Sequence, residues 1–215
     1  MAQTLFIYPK KMKMKYLFLL LSFSVLTLQA SITMAETAWK LEKDKEGIKI
    51  WNRKNEGSSI KEFKVTTILN TTPEKLLAFL KNTSLYEKWM YKVDQGSVKV
   101  IKKVNENDFY TYMTISAPFV KTRESISHMV FMPADNKGII LINLEGAASL
   151  IPKNDKYVRI PKVKAHFKIV PLGNGKVELT HQAYAEPGGS IPDALANISS
   201  VDCPYYMFSK IKSLL

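Results

Sequence analysis

Three histidines, one cysteine and a few neighbouring charges are the material this chain offers for acid–base or nucleophilic chemistry. Cys203 stands alone, so neither an intramolecular disulfide framework nor a cysteine-based metal cluster can be built. It sits beside Pro204 in a helix-patterned stretch, where a small packed residue is a plainer reading than a nucleophile. His181 lies on the inward-facing side of an alternating segment. There it is either a satisfied core histidine or a polar anchor in an apolar cavity, since pockets usually carry a few polar groups that orient a ligand. His128, between Ser127 and Met129, alternates away from them and is assigned no role. Arg123 with Glu124, and Arg159, read more simply as structural charges than as catalytic ones. The chain has no Gly-x-Ser-x-Gly, His-Glu-x-x-His, Cys-x-x-Cys or phosphate-cradling glycine loop. No catalytic residue, no metal and no cofactor are therefore expected.

A length of 215 residues suits one domain with room for a short appendage. With 46% hydrophobic, 11% aromatic and 23% charged residues, the composition is that of a globular protein, not a disordered or collagen-like chain. The net charge of +12 is unevenly spread. Residues 1–35 hold four lysines and no acid, leaving +8 for residues 36–215.

That N-terminal stretch reads as an export signal. Lys10, Lys11, Lys13 and Lys15 precede an apolar run from Tyr16 to Leu28, shorter than the roughly 20 residues a membrane span needs. Thr33-Met34-Ala35 is an acceptable cleavage site, and Leu28-Gln29-Ala30 a weaker one. The expected organisation is a signal peptide over 1–35 and one domain over 36–215, periplasmic or secreted. Export also argues against a nucleic-acid partner.

The elements that must position these side chains are mostly strands. Alternation marks Ile48–Arg53, Ile60–Ile68 after a slip, Ser97–Asn105, Phe109–Ser116, Glu124–Met132 and Gly138–Leu144. His166–Val170 and Val177–Tyr184 flank Gly173-Asn174-Gly175. A three-residue loop there sets Phe167 opposite His181 and Ile169 opposite Leu179, apolar against apolar. His166 then faces outward with Lys164 and Lys168. Thr72-Pro73-Glu74-Lys75 opens a helix with a cap, a proline at the first position and an acid at the positive end. Ser84-Leu-Tyr-Glu87 reads as a capping box before a short turn carrying Trp89. Ser190-Ile-Pro-Asp193 reads as another, opening a long final helix. Leu195, Ile198, Val201, Tyr205, Phe208 and Ile211 follow at spacings of three and four, as an apolar stripe, and Pro204 should kink the helix. Strand runs with helices at the ends define an α+β fold. A curved antiparallel sheet gripping one long helix would enclose a cavity.

Five segments, in order, resemble one family. They are Leu85-Tyr-Glu-Lys-Trp89, Ala117-Pro-Phe-Val-Lys-Thr-Arg-Glu124, Tyr157-Val-Arg159, Phe167-Lys-Ile-Val-Pro171, and Glu186-Pro-Gly-Gly-Ser-Ile-Pro192 with Asn197. Across nearly the whole domain the chain resembles the START family of lipid-transfer domains, which have the helix-grip fold. The resemblance implies a tunnel for one lipid or sterol, closed by the last helix and by a loop between two central strands, here Ala117-Pro118-Phe119-Val120. Family steroid binders carry a buried Glu–Arg pair beside this loop. The matching positions here are Met113 and Met129, which implies a more apolar cavity and weakens the case for cholesterol as ligand. Arg123 with Glu124 resembles the family's Arg-Asp pair.

The expected cavity lining is Met113, Ile115, Ser127, Met129, Phe167, His181, Leu195, Ile198, Tyr205 and Phe208. Phe119 and Val120 are either core or an exposed apolar loop; the resemblance makes them a gate that touches the membrane. Lys99, Lys102, Lys103, Lys162, Lys164 and Lys168 could attract anionic headgroups, although strand-face lysines are usually only solvated. The leading expectation is a monomeric, non-catalytic binder of a lipid or other hydrophobic small molecule, with transient membrane-surface contact. The alternative is a helix-grip enzyme of cyclase or dehydratase type, with His181 as acid or base beside Tyr112 or Tyr205.

Overall fold

The computed structural model describes residues 38–215; the expected export signal and its cleavage site lie outside the described residues. The strands are β1 (Lys40–Lys45), β2 (Ile48–Asn55), β3 (Ser58–Leu69), β4 (Lys99–Asn105), β5 (Asp108–Ala117), β6 (Val120–Phe131), β7 (Ile140–Gly146), β8 (Val158–Arg159), β9 (Lys162–Gly173) and β10 (Lys176–Glu186). They form one sheet in the order β1-β2-β3-β10-β9-β7-β6-β5-β4, antiparallel throughout, with the short β8 added parallel to β6. The helices are α1 (Pro73–Lys81), α2 (Tyr86–Trp89) and α3 (Asp193–Leu214). This is the helix-grip arrangement.

The β9–β10 hairpin shows how side-chain alternation sets the register. Phe167 pairs with His181 and Ile169 with Leu179, all four buried. The loop itself is tighter than the expected three residues. Gly173 pairs with Lys176 across Asn174-Gly175, whose φ values are 50° and 67°. Asn-Gly favours this two-residue turn because both positions need positive φ. A bulge between Lys176 and Val177 then restores the expected pairing.

β1 carries the sequence Lys-Leu-Glu-Lys-Asp-Lys and is mostly exposed. It has no apolar alternation to announce it. Charge on such an edge strand discourages pairing with a second chain.

α1 starts as expected: Thr72 accepts a hydrogen bond from the Lys75 amide at 3.4 Å, with Pro73 in the first turn. The other two caps differ. Asn82, not Ser84, opens the turn before α2, accepting from the Ser84 amide at 3.1 Å. α3 has Pro192 at its N-cap and no side-chain cap, so Ser190 does not close a box.

α3 lies across β2 and β3. Its buried face is Ser200, Pro204, Met207, Phe208 and Ile211. The expected stripe is therefore corrected at Ile198, which is 57% exposed. A spacing rule that counts only large apolar residues rotates the helix, because the turns nearest the sheet carry small ones: Ala196, Ser200 and Cys203. The helix continues through Pro204. Proline leaves the carbonyl four residues earlier without its ladder donor. Asn52 of β2, itself buried, supplies one: its amide nitrogen donates to the Ser200 carbonyl at 3.2 Å, and its oxygen accepts from Ser200 Oγ at 2.7 Å. One turn earlier, Asn197 accepts from the Lys61 amide at 2.9 Å and donates to the Ser59 carbonyl at 3.0 Å. These two amides pin the helix to the sheet.

Candidate functional site: an apolar cavity with an open mouth

Odd-numbered positions of β5 and β6 face inward. Met113 pairs with Ser125 and Thr111 with Ser127 across the two strands. With Phe167 and His181 from the β9–β10 hairpin, they surround a cavity of about 180 Å³. Trp89 and Tyr86 close one side, and Cys203 and Met207 of α3 another. No Asp, Glu, Lys or Arg lines it among the described residues. A second space of about 490 Å³ lies between the β5–β6 turn, the segment before α3 and the first turns of that helix. Both spaces are lined by Phe63, Ile160, Ala183, Ala185 and Cys203, so the second space adjoins the first and lies on the mouth side of it, toward Phe119.

The mouth is shaped by a strained turn. Ala117 pairs with Val120, leaving Pro118 and Phe119 to reverse the chain. Phe119 has φ of 64° and a fully exposed ring. Positive φ is uncommon for a bulky residue. Phe119 and half-buried Val120 both line the mouth, together with Lys61 and Lys92. Those two are the cations at the opening. Of the lysines expected to attract headgroups, Lys162 and Lys164 instead line a polar groove with Arg53, Glu62 and His166.

His181 stacks on Phe167, ring centroids 3.9 Å apart, and its Nδ1 donates to the His166 carbonyl at 2.9 Å. Burial pulls its pKa down to about 4, so the ring is neutral. Burial likewise pushes the Cys203 thiol up to about 12 and raises the Tyr86 phenol. The Tyr86 hydroxyl donates to the Leu80 carbonyl at 3.0 Å and lies 3.3 Å from Met129 Sδ.

The structure brings Met113, Ile115, Ser127, Met129, Phe167 and His181 to the inner cavity. It does not bring Ile198, Tyr205 or Phe208 there. Ile198 is exposed, Tyr205 lies under Lys43 Nζ at 4.0 Å, and Phe208 is fully buried in the core beside the cavity. The Leu195 side chain is outside the described residues. Tyr112 is paired with Ile126 on the outer face, so it cannot act with His181. His128 also faces outward, bonded to Asp108 at 2.7 Å.

Arg123 and Glu124 do not pair with each other, because successive strand residues point to opposite faces. Glu124 instead bonds Arg159 Nε at 2.9 Å, and both are buried. Arg159 also donates to the carbonyls of Ala148, Ile151 and Pro152, closing the loop that follows β7.

Sequence reasoning missed Thr111, Ser125 and Trp89 in the lining. The period-two pattern that selected Met113, Ser127 and Met129 places Thr111 and Ser125 on the same face. Only the search for large or chemically reactive residues passed them over.

A curved sheet gripping one long helix over an apolar cavity defines a helix-grip domain. No family model matches the chain. A STAR-related lipid transfer protein of Xanthomonas axonopodis is 30% identical, with 82% of this chain and 97% of that one aligned at a TM-score of 0.75. The human StAR-related lipid transfer protein 5 is 15% identical over 93% of this chain and 94% of its own, with a TM-score of 0.73, a likeness of fold. An uncharacterized protein of Pseudomonas aeruginosa is 29% identical over 175 residues, 81% of this chain and 85% of that protein. The chain belongs to the START family of STAR-related lipid transfer domains.

Proposed function

We propose that this chain is a non-catalytic, monomeric carrier of one lipid or comparably hydrophobic small molecule, working outside the cytoplasm. The observation that carries this reading is the chemistry of the inner cavity. Its surface is largely apolar and adjoins the open space behind Phe119, and the titratable groups that line it sit far from neutral pH. A general acid or base works best with a pKa near the working pH. His181 lies well below it, and Cys203 and Tyr86 lie well above. The family's lipid-transfer activity, as named for the Xanthomonas and human proteins, extends naturally to a site of this kind.

Exposed Phe119, with Lys61 and Lys92 at the same opening, suits brief contact with an anionic bilayer surface. Export rests on the basic cluster and apolar run of residues 1–35. The test is transfer of a self-quenched fluorescent lipid from donor to acceptor vesicles. The protein is expected to accelerate transfer in proportion to its concentration. A rate equal to that without protein, for neutral and charged lipids alike, would sink the reading. N-terminal sequencing of exported protein should begin near Glu36; a retained N-terminus would refute export.

A further inference from the structure

Two polar atoms on the cavity wall have nothing to bond. Thr111 Oγ1 and Trp89 Nε1 are buried, and neither has a hydrogen-bond partner among the described residues. Thr111 is 0% exposed and Trp89 2%. Both residues line the inner cavity. Next to Thr111 are two more hydroxyls. The β5–β6 register sets Ser127 directly opposite Thr111 and Ser125 opposite Met113, so all three face inward. The Ser125 and Ser127 oxygens are 3.4 Å apart, a long contact that leaves most of their bonding capacity unused. None of these residues lines the mouth. The three hydroxyls form one polar arc on the β5–β6 pair, and the Trp89 indole lines the same otherwise apolar chamber.

A buried hydroxyl or indole N–H left unpaired is destabilising, and a ligand that supplies the partner removes that penalty. We infer that this arc is a subsite for one neutral oxygen, a hydroxyl or carbonyl, carried by an otherwise apolar ligand. The inference rests on the lipid-binding reading and narrows it. Trp89 Nε1 only donates, so the ligand atom must accept; the hydroxyls of Thr111, Ser125 and Ser127 both donate and accept. Charge is excluded by the surroundings. Among the described residues the inner cavity has no Asp, Glu, Lys or Arg to neutralise a headgroup, and His181 is held neutral with its Nδ1 tied to a backbone carbonyl. A carboxylate, phosphate or ammonium there would be a buried, unpaired ion. The ligand class is thus an alcohol, ketone or ester of low polarity, its oxygen inside and its apolar remainder filling the path toward Cys203 and the mouth.

The test uses delipidated protein loaded with the neutral fluorophore N-phenyl-1-naphthylamine, displaced in turn by dodecan-1-ol, dodecan-2-one, dodecane and ionised dodecanoate. Wild-type protein should bind the alcohol or the ketone at least about tenfold more tightly than the alkane, the effect of one or two net hydrogen bonds. Dodecanoate should be weaker than the alcohol by a similar factor. Thr111→Val combined with Ser127→Ala should reduce the preference to less than about threefold without weakening the alkane.

Thr111→Val alone should not lower the Tm of the empty protein and should raise it by about 2–4 °C, because it removes an unpaired hydroxyl. A fall in Tm would mean that the hydroxyl is structural and would overturn the inference. Should the double variant not fold, Ser125→Ala and Ser127→Ala as single changes carry the same comparison. Equal wild-type affinity for alcohol, ketone and alkane, or a preference that survives the substitutions, would also overturn it. Failure to bind the fluorophore and all four probes would instead remove the lipid-binding reading on which it rests.

Discussion

Acidification should destabilise this protein through one residue buried beside the cavity. His181 stacks between strands, bonds a backbone carbonyl and has its pKa pulled by burial from 6.5 to about 4. In the unfolded chain it returns to about 6.5. Between those values the unfolded state binds a proton that the folded state refuses. Stability therefore falls as the pH drops through about 6.5 and stops falling, for this residue, below about 4. Each pKa unit is worth about 1.4 kcal/mol, so the gap amounts to roughly 3 kcal/mol, a substantial part of the ~5–15 kcal/mol that holds a domain folded.

The perturbation is His181→Phe, which keeps a ring against Phe167 and removes the titration. Urea unfolding of both proteins at a series of pH values is the assay. Differencing the two curves cancels the carboxylates common to both. Wild type should lose about 3 kcal/mol more than the variant between neutral pH and about pH 4. Parallel curves would show that His181 is not held neutral by burial, and the electrostatics of the cavity argued above would be wrong.

Asn52→Ala should cost about 1–3 kcal/mol in thermal or urea unfolding, because it strands the Ser200 carbonyl that Pro204 already deprives of a donor. Pro204→Ala should recover part of that loss in the Asn52→Ala background, read as a double-mutant cycle; strict additivity would mean that the two residues are uncoupled. Phe119→Gly should leave stability unchanged or slightly higher, since glycine adopts the φ of 64° freely, while slowing lipid exchange with vesicles. Faster exchange would show that the ring obstructs the mouth instead of serving it. Phe208→Ala should cost about 3–5 kcal/mol in unfolding, as for a core residue. A loss under ~1 kcal/mol with leaking ligand would instead make it a cavity wall.

The strands of the sheet were largely legible because burial on one face leaves a period of two in the residues. The β9–β10 hairpin shows it best: Phe167, Ile169, Leu179 and His181 sort to one side, and the pairing follows. β1 was not legible, because an edge strand of alternating charge has no buried face to advertise. The C-terminal helix was placed correctly along the chain but rotated. Its role is to leave space, so its first turns turn Ala196, Ser200 and Cys203 inward and Ile198 outward, against the rule that large apolar residues mark the inside. Tyr205 is likewise turned toward Lys43 instead of the cavity, whereas Phe208 lies on the buried face as its spacing requires but packs in the core. In the cavity, alternation along β5 and β6 found the methionines, while Thr111 and Ser125 on the same face carried no reactive signature. The buried partner of Glu124 was not legible either, since Arg159 lies 35 residues away and meets it only once β8 is laid beside β6.

The central claim is that one hydrophobic molecule occupies the space behind Phe119. Native mass spectrometry of protein purified from its own host without detergent tests it most directly. The expected result is a species heavier than the polypeptide by the mass of a single neutral lipid, restored after delipidation by incubation with vesicles. The bare polypeptide mass in both preparations, with no lipid in the organic extract, would contradict it.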